Sequence, residues 1–169
     1  MNRLTVLALM IAAPLAPGVA HAETLAAHPE ASPYDESVSD ALYAEKLDQA
    51  IAQLEPGHLV LAVFGANWCH DSRALAGWLT SPAFDSLLDA HFEVVFIDVG
   101  RPQAGQGRNL DLAARFGVTG IEGTPNLLVI DSEGVLVNSS ESAQGWRNAA
   151  SRSEEAVYAI LESYAVEQE

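Results

Sequence analysis

The sequence predicts an α/β protein with a mixed sheet covered by helices on both faces, and three observations carry that expectation. The run LVLAVF at 59–64 is uninterrupted and apolar, as a central strand buried on both sides requires. FEVVFIDV at 92–99 is rich in β-branched and aromatic residues and follows a segment of helix formers, so these two strands should be parallel and joined by a helical crossover. NLLVID and VLVN flank Ser132-Glu133-Gly134 and read as a β-hairpin, which adds antiparallel pairing.

Each element follows from its local pattern. Tyr43, Leu47, Ala50, Ile51 and Leu54 recur at the spacing of one helix face, and Pro56-Gly57 stops that helix. After the first strand, SRALAGWL is helical up to the break at Thr80-Ser81-Pro82. Ser81 as a cap and Pro82 as the first helical residue then start a second helical piece that runs to about Ala90. The segment GRPQAGQGRN is a polar, glycine-containing loop, followed by a short helix from Leu110 to Phe116 that Gly117 ends. Ser151 and Glu154 match a capping box for a last helix, with Val157, Ile160, Leu161 and Tyr164 as its buried stripe.

The ends and the charge bound the setting. Residues 1–22 combine Arg3, an apolar run from Leu4 to Leu15 and the small-residue ending Ala20-His21-Ala22, the pattern of a cleaved secretory signal. The apolar stretch is shorter than the roughly 20 residues a membrane span needs, so no membrane insertion is expected after signal removal. Residues 23–36 are polar and contain proline, and read as a flexible leader; 37–169 form the domain. The expected location is periplasmic or secreted. With 8 basic against 23 acidic residues, the formal charge of −15 opposes binding to nucleic acid or anionic lipid.

The chain has one cysteine, Cys69, in FGANWCHDSRAL. An exported chain with a single cysteine has no internal disulfide, which points to a reactive or intermolecular thiol, or to a buried thiol acting as a small hydrophobe. Cys69 stands where a helix begins, and there the free backbone N–H groups and the helix dipole favour thiolate, the species that attacks a disulfide sulfur. Ser72 lies one helical turn on and is placed to donate a hydrogen bond to the thiolate. His70, if protonated, and Arg73 favour the thiolate, whereas Asp71 opposes it. Cys69, His70 and Asp71 are adjacent, and adjacent residues rarely converge on one ion. The sequence offers no second cysteine or histidine cluster, so no metal site is expected. Nothing resembles a glycine-rich phosphate loop, and no cofactor is expected.

An apolar strand running into Trp68-Cys69, a helix, then Thr124-Pro125 before a strand and Asp131-Ser132-Glu133-Gly134 at a hairpin resembles the thioredoxin superfamily over most of residues 58–166. The resemblance implies a thioredoxin-like α/β fold with a central mixed sheet of about four to five strands, and a cis bond before Pro125. It implies a catalytic role for Cys69 with Ser72. It also implies a substrate surface formed by Trp68, His70, Asp71, Thr124 and Pro125, with the backbone before the proline pairing an extended chain. Packing alone is the alternative role for Trp68.

Three positions depart from that family. Ser72 replaces the second, resolving cysteine; Val63 stands where many members carry a buried aspartate; and the lysine that often accompanies that aspartate is missing from EVVFID. These losses concern release of a mixed disulfide, not the attack that forms it. Two functions remain. The first is monothiol thiol–disulfide exchange or isomerisation on exported proteins with disulfides or thiols, with glutathione or another small thiol as a variant partner. The second is a redox-inactive binding or chaperone-like module of the same fold.

Overall fold

The computed structural model describes residues 28–166, so the expected signal segment and residues 23–27 lie outside the described residues. Strand β1 (Leu59–Gly65) is buried along its whole length and forms the middle of a three-stranded sheet. It pairs in parallel with β2 (Phe92–Asp98), from Leu59 opposite Phe92 to Gly65 opposite Asp98. On its other side it pairs antiparallel with β5 (Asn126–Ile130), from Val60 opposite Ile130 to Phe64 opposite Asn126. The parallel pair needs a crossover, supplied by α2 (His70–Leu79) and α3 (Asp85–His91).

The alternation of β1 sorts the helices onto two faces. Leu59, Leu61 and Val63 join Leu75, Trp78 and Leu79 of α2, Leu87 and Leu88 of α3, and Val157 and Leu161 of α6 (Glu154–Val166). Val60, Ala62 and Phe64 point the other way, toward Tyr43 and Leu47 of α1 (Asp40–Ala52), Leu112 of α4 (Leu110–Ala114) and Ala143 of α5 (Ser140–Gln144). The period-2 geometry of a strand thus builds both cores from one sequence run. The glycine-containing loop folds into a small ribbon of β3 (Gly100–Arg101) and β4 (Gln106–Gly107).

Several expectations are corrected. The central sheet has three strands rather than four to five, because the second arm of the hairpin forms only an isolated bridge between Ile130 and Leu136. Beyond that bridge and the bond from Val137 N to Val129 O, the side chain of Asn138 takes over the pairing. Its Oδ1 accepts from Val129 N and its Nδ2 donates to Leu127 O, both at 2.9 Å. Helix α3 starts at Asp85, since Ser81 to Phe84 form a turn and the buried Ser81 hydroxyl caps nothing. Helix α6 is capped by Ser153, whose Oγ accepts from Ala156 N at 3.3 Å, because Ser151 is used in a 3-10 turn. Helix α5 has too short a pattern to have been expected.

Residues 28–36, expected within a flexible leader, form an ordered strap across the top of α2. Tyr34 is 1% exposed, stacks edge-on against Phe96 and donates from its hydroxyl to Ser72 O at 3.3 Å. Two glycines make room for the strap. A Cβ at Gly65 would stand 2.4 Å from the Tyr34 ring, and one at Gly77 would stand 2.2 Å from the Pro29 carbonyl oxygen. The polar composition of the strap concealed this, since one aromatic ring and backbone hydrogen bonds hold it rather than an apolar stripe.

Candidate functional site

The site forms where β1 turns into α2. Cys69 N donates to Ala66 O at 3.0 Å, closing a tight turn, and Cys69 takes the extended cap position ahead of the ten-residue helix. Its side chain does not cap the helix; instead Sγ donates to Thr124 O at 3.4 Å. The Thr124–Pro125 peptide bond is cis. The thiol is half-buried, on the surface where α2 begins and β5 is about to start.

The residues around the thiol divide into those that meet it and those engaged elsewhere. Thr124 and Pro125 are both buried, so neither presents an exposed side chain; they bring the Thr124 carbonyl to the sulfur. Trp68 is half-buried, its Nε1 donates to Gly100 O at 2.9 Å, and the Arg101 guanidinium lies 5.0 Å from its ring. This fixes the indole against the β3–β4 ribbon, beside Cys69 in the chain. Ser72 is fully buried, yet its Oγ makes no hydrogen bond among the described residues, so the expected bond to Cys69 is not formed.

The three charged candidates have partners other than the sulfur. Asp71 Oδ1 accepts from Ala150 N at 3.0 Å, tying α2 to the turn before α6 rather than facing a substrate. Arg73 donates to Glu30 Oε2 and to Asn67 O, both at 3.0 Å, so its charge is answered by Glu30. That contact holds the Glu30 carboxyl below the usual carboxylate range, the Arg73 hydrogen bond acting first. His70 is exposed, and its Nε2 lies 3.0 Å from His28 Nε2 and 3.6 Å from Glu30 Oε1.

Sequence reasoning missed four residues here: His28, Glu30, Tyr34 and Asp98. Val63 is in the core as expected, but a buried carboxylate does occur at Asp98, the last residue of β2, opposite Gly65. Burial pushes its pKa up, against the Gly100 N–H at 3.3 Å and the Arg108 guanidinium at 3.5 Å, which act to lower it. The Tyr34 phenol is also pushed up, first by burial and then by the nearby charges of Cys69 and Asp98. An acid ending the apolar run at 94–97 was the available signal for Asp98. The other three depend on a strap that the chain pattern does not reveal.

A groove of about 720 Å³ runs between α1 and the outer edge of β2, and Cys69 is not among its lining residues. A thiol that meets a disulfide presented by another protein needs an accessible sulfur rather than an enclosing cavity.

No family model and no curated protein sequence matches the chain. Among solved structures, a disulphide isomerase from Xylella fastidiosa Temecula1 matches with a TM-score of 0.65 and 32% sequence identity. The match covers 79% of this chain and 96% of that one. With a strand-to-helix cysteine facing the carbonyl before a cis proline, and with this identity over nearly the whole of that protein, the chain belongs to the thioredoxin-like family of that disulphide isomerase.

Proposed function

We propose that the protein is an exported monothiol member of this family that carries out thiol–disulfide exchange, above all isomerisation, through Cys69. The observation that carries the reading is the half-buried Cys69 Sγ at the start of α2, 3.4 Å from the Thr124 carbonyl. The likeness to a protein named as a disulphide isomerase supports the same class of chemistry.

The steps balance with one thiol. Cys69 thiolate attacks one sulfur of a substrate disulfide; that S–S bond breaks, a mixed disulfide forms, and the other substrate sulfur leaves as thiolate. A second substrate thiolate then attacks the substrate sulfur of the mixed disulfide, making a new substrate S–S bond and returning Cys69 as thiolate. No net electrons move, so no resolving cysteine is needed. Ser72 cannot displace the substrate, which leaves release to a substrate thiol or to an external small thiol such as glutathione. The substrates on this reading are exported proteins with disulfides or thiols.

The test is reactivation of a scrambled disulfide protein by the wild type and by Cys69→Ala, together with capture of mixed disulfides. The expected result is reactivation and capture by the wild type and loss of both in the variant. Equal reactivation by Cys69→Ala would sink the proposal. Client binding that persists in Cys69→Ala, with no reactivation by either protein, would favour the redox-inactive binding module instead.

A further inference from the structure

The strap and the start of α2 bring together three side chains whose chemistry no thiol reaction uses. His28, Glu30 and His70 each offer one ligand atom, and those atoms all lie within 4.8 Å of one another. We propose that His28, Glu30 and His70 form a zinc site that pins the strap to the first residue of α2.

The geometry is close to what the ion needs. Zinc holds imidazole nitrogen and carboxylate oxygen at about 2.0–2.2 Å, which at tetrahedral angles sets neighbouring ligand atoms about 3.3–3.6 Å apart. Here the two Nε2 atoms are 3.0 Å apart, and His70 Nε2 is 3.6 Å from Glu30 Oε1. His28 and Glu30 offer atoms within 4.8 Å of each other, so side-chain movements of up to about 1.5 Å, in one half-buried and two exposed residues, would admit the ion. Two imidazoles and one carboxylate are a donor set that suits zinc and leave a fourth position for water.

The surroundings orient these ligands. His28 Nδ1 lies 3.3 Å from Pro29 O; with a proton on Nδ1 donated there, Nε2 keeps its lone pair for a metal. Arg73 binds Glu30 Oε2, which leaves Oε1 directed at His70. The net charge of −15 favours cation approach, against the local positive charge of Arg73 on Glu30 Oε2.

The consequence is a cross-link of a kind the chain otherwise lacks. One cysteine forms no internal disulfide, whereas this ion would join positions 42 residues apart in sequence. Closing so long a loop in the unfolded chain is entropically costly, and metal binding to the folded form alone offsets it. Because His70 follows Cys69 directly, the pinned strap borders the thiol whether or not the thiol is catalytic.

The experiment is calorimetric titration of zinc sulfate into the reduced full chain, in the wild type, His28→Ala, Glu30→Gln and Cys69→Ser, each checked for folding by circular dichroism. The expected result is one saturable ion per chain. Affinity should fall about tenfold or more in His28→Ala and in Glu30→Gln, and be kept in Cys69→Ser. Absence of one-to-one binding, affinity unchanged in His28→Ala and Glu30→Gln, or affinity lost in Cys69→Ser would each overturn the proposal. The last outcome would make the thiol a ligand and the histidine pair incidental. Since neither arm reads disulfide exchange, failure here is distinguishable from failure of the isomerase reading.

Discussion

Asp98 sits where a charge is poorly tolerated: it is 1% exposed, and its Oδ1 has no hydrogen-bond partner among the described residues. Burial raises its pKa, so the folded chain holds the proton to a pH at which the unfolded chain has released it. The stability this contributes is complete below the ordinary value of 3.8 and is lost as pH rises through the raised folded value. Asn at this position keeps an oxygen for the Gly100 N–H and removes the titration. Thermal unfolding of wild type and Asp98→Asn across this range should therefore show the variant gaining relative to wild type as pH rises above 3.8. A constant difference across the range would refute the assignment. Cys69 shows the opposite residue-scale case. Its neighbours in sequence include one acid and two bases, yet Asp71 is spent on Ala150 and Arg73 on Glu30, so the opposing charges expected from spacing do not meet at the sulfur.

Strand β5 carries the Thr124 carbonyl into the site, and its outer side is held less by a strand than by one side chain. Asn138 is 5% exposed and satisfies both Val129 N and Leu127 O. Asn138→Ala leaves a buried donor and a buried acceptor without partners, each worth about 1–3 kcal/mol. The expected loss is about 2–6 kcal/mol, read as a lower denaturation midpoint in urea at unchanged slope. A loss below about 0.5 kcal/mol, the usual size for a surface change, would show that β5 does not depend on this amide. The strap is the comparable element on the other side of the thiol. Arg73 O receives the Ala31 N–H at 3.1 Å, and Asn67 Oδ1 receives the Tyr34 N–H at 3.1 Å, so backbone and short polar side chains fasten it to the turn around Cys69. Composition reads such a segment as loop, because its order comes from partners far along the chain.

At the scale of the molecule, the net charge of −15 makes the folded state repel itself. Raising sodium chloride from about 0.01 M to about 0.15 M shortens the screening length from about 30 Å to about 8 Å. The melting temperature should rise over that interval, and a fall would show that attractive pairs such as Arg108–Asp40 and Arg115–Asp48 outweigh the repulsion. The resemblance, not the local pattern, implied Pro125 beside the thiol; by itself the sequence determined the α/β class, the buried middle strand, the helical crossover and the cysteine at a helix start. Each of these is written in a local period, a breaker or a cap, within reach of a few residues. The tertiary structure alone decided that the sheet stops at three strands, that Asn138 completes it, that Tyr34 and Asp98 are buried beside the turn, and that His28 and Glu30 reach His70. The physical reason is distance along the chain: those contacts join residues 9 to 43 positions apart, and polar side chains carry no periodic signal of the partner they will find.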